Sequence, residues 1–272
     1  MSISKIICWW SGGVTSAVAC KLAIELFGKD NCRVVFIDTF NEHPDTYRFL
    51  LDCWGWYGVK IEIETNWQYH QISDVWDKYN SLNVANGAIC SSELKREVRK
   101  SFMLKNPGIT HQIFGFDIDE PKRAKALTLN YPETNPFYPL LAFAYSKKKC
   151  IQILSDAGIE IPQMYKEGYV NNNCYETGCV QGGIWYWKKI KKERYGTYHA
   201  MAMREHKYTA IKGSPVTCLR NQTKERKGEP IFLMPHPDYP QYQCLDDKDG
   251  REPEPVFECN GFCGTNDLIK QY

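Results

Sequence analysis

The residues best able to do chemistry in this chain stand near its start: Ser11-Gly12-Gly13-Val14-Thr15-Ser16. They follow the apolar run Ile6-Ile7-Cys8-Trp9-Trp10 and open a helix-like stretch from Ala17 to Leu26. Strand, glycine-rich turn and helix, in that order, make an anion site. Glycine lets the backbone turn tightly and approach a ligand closely. The first N–H groups of the helix then face the ligand, and the helix dipole favours negative charge there. Ser11, Thr15 and Ser16 add hydroxyl donors. The pattern is not a Walker loop, which carries Lys before its final Ser or Thr, nor the G-x-G-x-x-G turn of dinucleotide folds. The expected occupant is a phosphate or sulfate group.

Such an anion needs counter-charge. Lys95, Lys122 and Arg123 are the candidates; a guanidinium grips two oxygens at once, whereas an ammonium acts as a point charge. Asp38, Thr39, Gly115 and Asp117 fall at the ends of apolar segments and are expected to line the same cleft. Asp117 would repel a phosphate unless a metal bridged them. It reads equally as a Mg²⁺ ligand, a contact to another part of the ligand or a partner of Arg123, and Asp38 as a metal or ligand contact.

Twelve cysteines form the second set. Cys8, Cys20, Cys32, Cys53 and Cys150 lie in apolar segments, where Cys behaves as a small hydrophobe. Cys174 and Cys179 form one close pair, and Cys259 and Cys263 another. Four thiolates suit zinc or a [4Fe–4S] cluster, with Cys218 and Cys244 in reserve. A redox or nucleophilic role for Cys259 or Cys263 is the alternative. The run Trp185-Tyr186-Trp187-Lys188-Lys189-Ile190-Lys191-Lys192-Glu193-Arg194 mixes aromatics with cations, as a nucleic-acid surface would. An amphipathic helix with Trp185 and Ile190 inward explains it more simply. His43 is expected near the cleft, His199 and His206 on the surface. No Gly-x-Ser-x-Gly element is present.

Taken together, several segments resemble the phosphoadenylyl sulfate (PAPS) reductase-like family of the adenine nucleotide α-hydrolase superfamily. S-G-G-x-x-S resembles that superfamily's PP-loop, with Thr15 where many ATP pyrophosphatases carry Asp. Asp38-Thr39 leading to Thr46-Tyr47 is similar to the family's second-strand segment. So are Cys90-Ser91-Ser92-Glu93-Leu94-Lys95, Gly115 to Arg123 with its Glu120, and Asn135-Pro136. Ile161-Pro162, Tyr165, Gly168-Tyr169 and Gly178-Cys179 complete the match, in order, over residues 5–183. The resemblance implies an adenine nucleotide (ATP, PAPS or adenylyl sulfate) bound by residues 11–16, with Lys95 and Arg123 meeting its charge. It implies two competing chemistries. A Cys259 thiolate attacks the sulfur of an adenylyl sulfate and an external thiol such as thioredoxin resolves the product, or ATP is cleaved to pyrophosphate to activate an acceptor for sulfur transfer. A nucleotide sensor without turnover is a third reading. The family's cluster-bearing members use a Cys-Cys and a C-x-x-C pair, and this chain has neither. Glu258-Cys259-Asn260-Gly261 only faintly resembles their catalytic Glu-Cys-Gly-x-His.

The elements that must carry these residues follow from periodicity. Strands are expected at 5–10, 33–38, 60–64 and 109–116. Helices are expected at 16–27, 46–56, 91–105, 119–129, 146–157 and 184–194, with irregular structure from 230 onward. Alternation of this kind predicts an α/β fold with a doubly wound, mostly parallel sheet. Residues 1–145 would form the nucleotide-binding unit, and 146–272 a loop-rich, cysteine-containing extension packed on it. At 272 residues, 43% of them hydrophobic, the chain can bury its own core without a cofactor. A net charge of +2 sets up no global field for a polyanion. No apolar run is long enough for a bilayer, and the start leads straight into a strand, so a cytoplasmic protein, homodimeric by base rate, is expected.

Overall fold

The computed structural model describes residues 5–84, 87–172 and 174–249. Strand β1 (Ile6–Trp10) is an unbroken apolar run and β2 (Cys32–Ile37) is apolar but for Arg33, as strands covered on both faces are. They pair in parallel, with Ile6 beside Cys32 and Trp10 beside Phe36. Helix α1 (Val14–Phe27) connects them and ends at Gly28, whose φ of +86° suits glycine and whose N–H reaches the Ile24 carbonyl. Helix α2 (Asp45–Tyr57) leads to the edge strand β3 (Ile61–Glu64). Then come α3 (Ile72–Tyr79) and a helical run α4 over 89–105, whose middle, Ser92–Arg96, is π-helical. Strand β4 (His111–Ile113), helix α5 (Pro121–Asn130), strand β5 (Pro136–Phe137) and helix α6 (Lys147–Asp156) follow.

The central sheet has the order β3-β2-β1-β4-β5, all parallel. The order reverses at β1. In open α/β sheets the crevice beyond the strands' carboxyl ends at such a reversal is where ligands bind. Alternate residues of β1 and β2 feed two cores. Cys8, Trp10, Val34 and Phe36 pack with α1, α2 and α6, while Ile7, Trp9, Val35 and Ile37 pack with Val98, Phe102, Ala124 and Leu127. Cys8, Cys20, Cys32, Cys53 and Cys150 are all buried, as expected of core thiols.

A third core joins Trp76, Leu82, Cys90 and Leu94 to Tyr186, Trp187 and Ile190 of α7 (Ile184–Glu193) and to Tyr198, Met201 and Tyr208 of α8 (Tyr195–Lys212). Along α7 the inward residues are Tyr186, Trp187 and Ile190, and Trp185 is only half-buried against them. Three of its four lysines are engaged within the chain: Lys191 pairs with Asp246 at 2.6 Å, Lys189 with Glu193 at 2.5 Å and Lys188 with the Lys248 carbonyl. His206 is half-buried, 4.5 Å from the His236 ring, where a surface position was expected; His199 is exposed.

The hydrophobic periodicity predicts no element over 195–212, yet the longest described helix stands there. Its buried stripe runs Tyr198, Met201, Ala202, Glu205, Tyr208, Thr209, and the polar members hide the apolar period. Glu205 belongs inside because it accepts the N–H groups of Cys218 and Leu233, each at 2.7 Å. The tail is also more regular than expected. Pro230–Phe232 pairs antiparallel with Leu219–Arg220 and parallel with Gln243–Cys244. Strand β4 is shorter than expected, since beyond Ile113 the chain turns onto α1.

Candidate functional site

The turn between β1 and α1 is held open by its own side chains. Ser16 Oγ donates to the Gly13 carbonyl at 2.9 Å and accepts from Ser11 N at 3.1 Å and Ser11 Oγ at 2.9 Å. Two of the three expected hydroxyl donors are thus used inside the loop. Gly12 has φ +83°, and its carbonyl accepts from Asn172 Nδ2 at 2.9 Å. Gly13, the residue before α1, offers no side-chain cap, so the helix's positive end is left for another acceptor. Val14 N reaches the Tyr165 hydroxyl at 3.3 Å. Thr15 is 1% exposed and its hydroxyl has no hydrogen-bond partner. A buried hydroxyl in that state costs about 1–3 kcal/mol, which a ligand oxygen would remove.

Gly115 sits against this turn. A Cβ there would lie 2.6 Å from Ser16 Cα and 2.7 Å from Ser16 N, so only glycine lets the end of β4 lie on the first turn of α1. Two residues on, Asp117 is 4% exposed and accepts the Asp119 N–H at 3.0 Å. Burial raises its pKa, the Asp119 N–H opposes this, Glu120 adds to it and Lys147 opposes it. Arg123 is buried, donates to Glu120, and lays its guanidinium 4.8 Å from the Phe116 ring.

At the end of β2, Asp38 is 4% exposed and accepts from Phe40 N at 2.8 Å and the Tyr47 hydroxyl at 2.9 Å. Thr39 Oγ1 donates to Glu42 at 2.8 Å, and Asn41 N does so at 2.9 Å. Burial pushes the Glu42 carboxyl up to about 7; Lys95 opposes the rise and Asp38 reinforces it. Lys95, carried on the π-helical turn of α4, lines a small recess with Trp9, Trp10, Ser11 and Arg99. It therefore lies beside both the turn and Glu42, as counter-charge should. π-helical turns of this kind recur at functional sites.

The Cys174–Cys179 turn closes one rim. Asn41 grips it: the Asn41 carbonyl accepts from Tyr175 N at 2.6 Å, and its side chain exchanges hydrogen bonds with Thr177. His43 stands at this rim, 4.3 Å from the Tyr175 ring. Beside Asn41, Phe40 has φ +56°, a conformation an aromatic residue adopts at a cost of about 1 kcal/mol, and its ring lies 6.2 Å from Trp67, which is 81% exposed.

The sequence profile of the phosphoadenosine phosphosulfate reductase domain matches residues 5–181, through the turn, the cleft and its rim. The chain belongs to the phosphoadenosine phosphosulfate reductase family. Among solved structures, phosphoadenylyl-sulfate (PAPS) reductase from Candida auris, crystallised as a phosphate complex, is similar at 16% identity. The match covers 61% of this chain and 78% of that one, with a TM-score of 0.47. No curated protein sequence matches.

For this PAPS reductase family member the structure gathers Ser11 to Ser16, Asp38, Thr39, Lys95, Gly115 and Asp117 at the carboxyl ends of β1, β2 and β4, with Arg123 on the helix that follows. Lys122 is exposed. The expected metal or cluster centre is not built by the described residues. Among them no three of His, Cys, Asp and Glu converge on one point, for zinc, iron–sulfur or Mg²⁺ alike. Cys174, Cys179 and Cys218 pack against the third core, and Cys244 is buried. Cys259 and Cys263 lie outside the described residues. No helix among those described is long and apolar enough to cross a membrane.

Sequence reasoning left Glu42, Arg99, Tyr165 and Asn172 without roles. Glu42 lies inside the Asp38–Tyr47 segment and Tyr165 inside the Ile161–Cys179 one, and Arg99 stands one helical turn beyond Lys95. Asn172 carries no local signal, since it meets the turn across about 160 residues of chain.

Proposed function

We propose that this family member binds an adenylyl sulfate with its sulfated phosphate end on the amino terminus of α1 and its adenosine toward the ends of β2 and β3. The observation that carries the reading is the buried, partnerless Thr15 hydroxyl beneath a positive helix end that has no cap of its own. Lys95 offsets the ligand's charge, and Phe40 with Trp67 offers aromatic surface to the base. The family is one of nucleotide-binding enzymes of sulfur metabolism, and this reading makes the chain a reductase within it.

In that reaction a cysteine thiolate, for which Cys259 is the candidate, attacks the sulfur. The bond between that sulfur and the bridging phosphate oxygen breaks, and the adenosine phosphate leaves with the electron pair. The sulfonate stays on the cysteine. A dithiol reductant of the thioredoxin type attacks the cysteine sulfur, releases sulfite and ends as a disulfide. The chain's own residues hold the phosphate, keep its charge compensated and cover it from water.

The Asp38–Glu42 pair favours a second reading, in which ATP enters with Mg²⁺ and loses pyrophosphate to activate an acceptor for sulfur transfer. Two carboxyls beside an anion site are easier to accommodate when a cation arrives with the ligand. The test is direct. The purified protein is given PAPS with a dithiol and assayed for sulfite, then ATP with Mg²⁺ and assayed for pyrophosphate. Sulfite release that vanishes in Cys259→Ser supports the reductase. Pyrophosphate without sulfite replaces it with the second reading. Failure of calorimetry to detect PAPS, adenylyl sulfate or ATP overturns both.

A further inference from the structure

Asp117 brings a charge of the wrong sign to the anion end of the cleft. It is buried, two residues beyond the glycine that lies on the first turn of α1. Burial raises its pKa, and Glu120 and Asp119 add like charge; the Asp119 N–H and Lys147 oppose the rise. Arg123, on the helix that follows, is paired with Glu120. A carboxylate left uncompensated there would repel a phosphate or sulfate seated on α1.

Lys147 is the first residue of α6, and three contacts bring it to this place. The Ile118 N–H donates to the Tyr145 carbonyl at 3.1 Å, which lays the chain just after Asp117 against the chain just before Lys147. The ammonium lies 5.9 Å from the Tyr165 ring, whose hydroxyl meets Val14 N at 3.3 Å. It donates to the Val170 carbonyl at 3.1 Å and to Asn171 Oδ1, and the next residue, Asn172, holds the Gly12 carbonyl. Both acceptors are neutral oxygens. They fix the ammonium in place without cancelling its charge, which stays available to the carboxylate across from it.

We propose that Lys147 is a positioning residue of the nucleotide cleft: its anchored ammonium offsets the Asp117 carboxylate, so that the turn before α1 takes up the ligand's phosphate or sulfate without repulsion. A cation of the chain itself does here what a bridging metal ion would otherwise have to do. The effect is exerted through Asp117 and requires no contact between Lys147 and the ligand. The inference rests on the nucleotide reading of the cleft.

The test is a double-mutant cycle read by calorimetry, with PAPS, adenylyl sulfate and ATP titrated into the intact protein. Its corners are wild type, Lys147→Gln, Asp117→Asn and the double variant. Glutamine keeps a donor for the Val170 carbonyl and removes only the charge. Lys147→Gln should bind nucleotide about tenfold more weakly, and adding Asp117→Asn should restore affinity to within about threefold of wild type. A clamp on residues 170–171 alone would not be rescued in this way, so a double variant as weak as Lys147→Gln overturns the proposal. So does a Lys147→Gln protein that binds like wild type. Thermal melting accompanies each titration. Should Lys147→Gln fail to fold, Lys147→Met with and without Asp117→Asn carries the same comparison. Wild type that binds none of the three nucleotides brings down the reading of the cleft and this proposal with it, whereas wild-type binding without rescue brings down the proposal alone.

Discussion

Gly115→Ala should damage nucleotide binding and stability together. The new Cβ would stand 2.6 Å from Ser16 Cα and 2.7 Å from Ser16 N, both backbone atoms that no rotamer change can move. Carbon atoms rest at about 3.5–4.0 Å, so the end of β4 and the first turn of α1 must part by roughly 1 Å. Overpacking of this size costs about 1–3 kcal/mol. For a chain of this length each kcal/mol lowers the melting temperature by about 2–4 °C, giving a fall of roughly 2–12 °C. The same 1 Å displaces the amides that face the anion, and misplacement on that scale costs about 100-fold in function. Gly196→Ala is the control. It lies in the first turn of α8, where a Cβ meets nothing within 4 Å, and should leave stability unchanged or slightly raised. Thermal unfolding and nucleotide calorimetry on both variants decide the matter. If Gly115→Ala melts and binds like wild type, the close approach of β4 to α1 is wrong and the site built on it fails.

Three further outcomes follow from the same geometry. Thr15→Val should raise the melting temperature slightly, because it removes a buried unpartnered hydroxyl, while weakening nucleotide affinity by about tenfold; weaker binding with lower stability would instead mark a packing defect. Phe40→Gly relieves a left-handed aromatic residue worth about 1 kcal/mol, so stability should hold or rise while nucleotide affinity falls; unchanged affinity would remove Phe40 from the site. Glu42 is raised from 4.5 to about 7 in the folded protein, so its contribution is complete below pH 4.5 and is lost as pH climbs to about 7. Measured by denaturant titration, the stability of wild type minus that of Glu42→Gln should therefore fall across that window by up to about 3 kcal/mol; a flat difference from pH 4 to 8 would refute the buried carboxyl.

Four of the five central strands were legible, β1 and β2 as mainly apolar runs and β3 as an alternating one, while the two-residue β5 carries no strand pattern; α1, α2 and α6 came within two residues of their observed bounds. The strand, turn and helix over residues 6–27 were legible because that geometry rests on local backbone conformation. The C-terminal region was not, since its order comes from pairings distant in sequence. Glu205 looks like a surface residue until the N–H groups of Cys218 and Leu233 turn toward it. Asn172 is one of three consecutive asparagines and only the fold selects it to hold Gly12. The cysteine spacing suggested shared ligation, but Cys174 and Cys179 are taken up in a turn that Tyr186 stitches together, its hydroxyl accepting from Cys179 N and donating to the Cys174 carbonyl.

The apolar cluster around Trp76 bears on how the protein can be handled. Residues 69–94 contribute Trp76, Leu82 and Leu94 to it, and the chain beyond 160 supplies the opposing half, including Trp187 and Met201. A fragment cut near residue 145 would present that half-cluster to solvent as a sticky surface and would precipitate or self-associate. The tail's contribution to turnover therefore has to be sought by single-residue exchange in the intact polypeptide, because removing it would take away part of the scaffold that supports α4 and its Lys95.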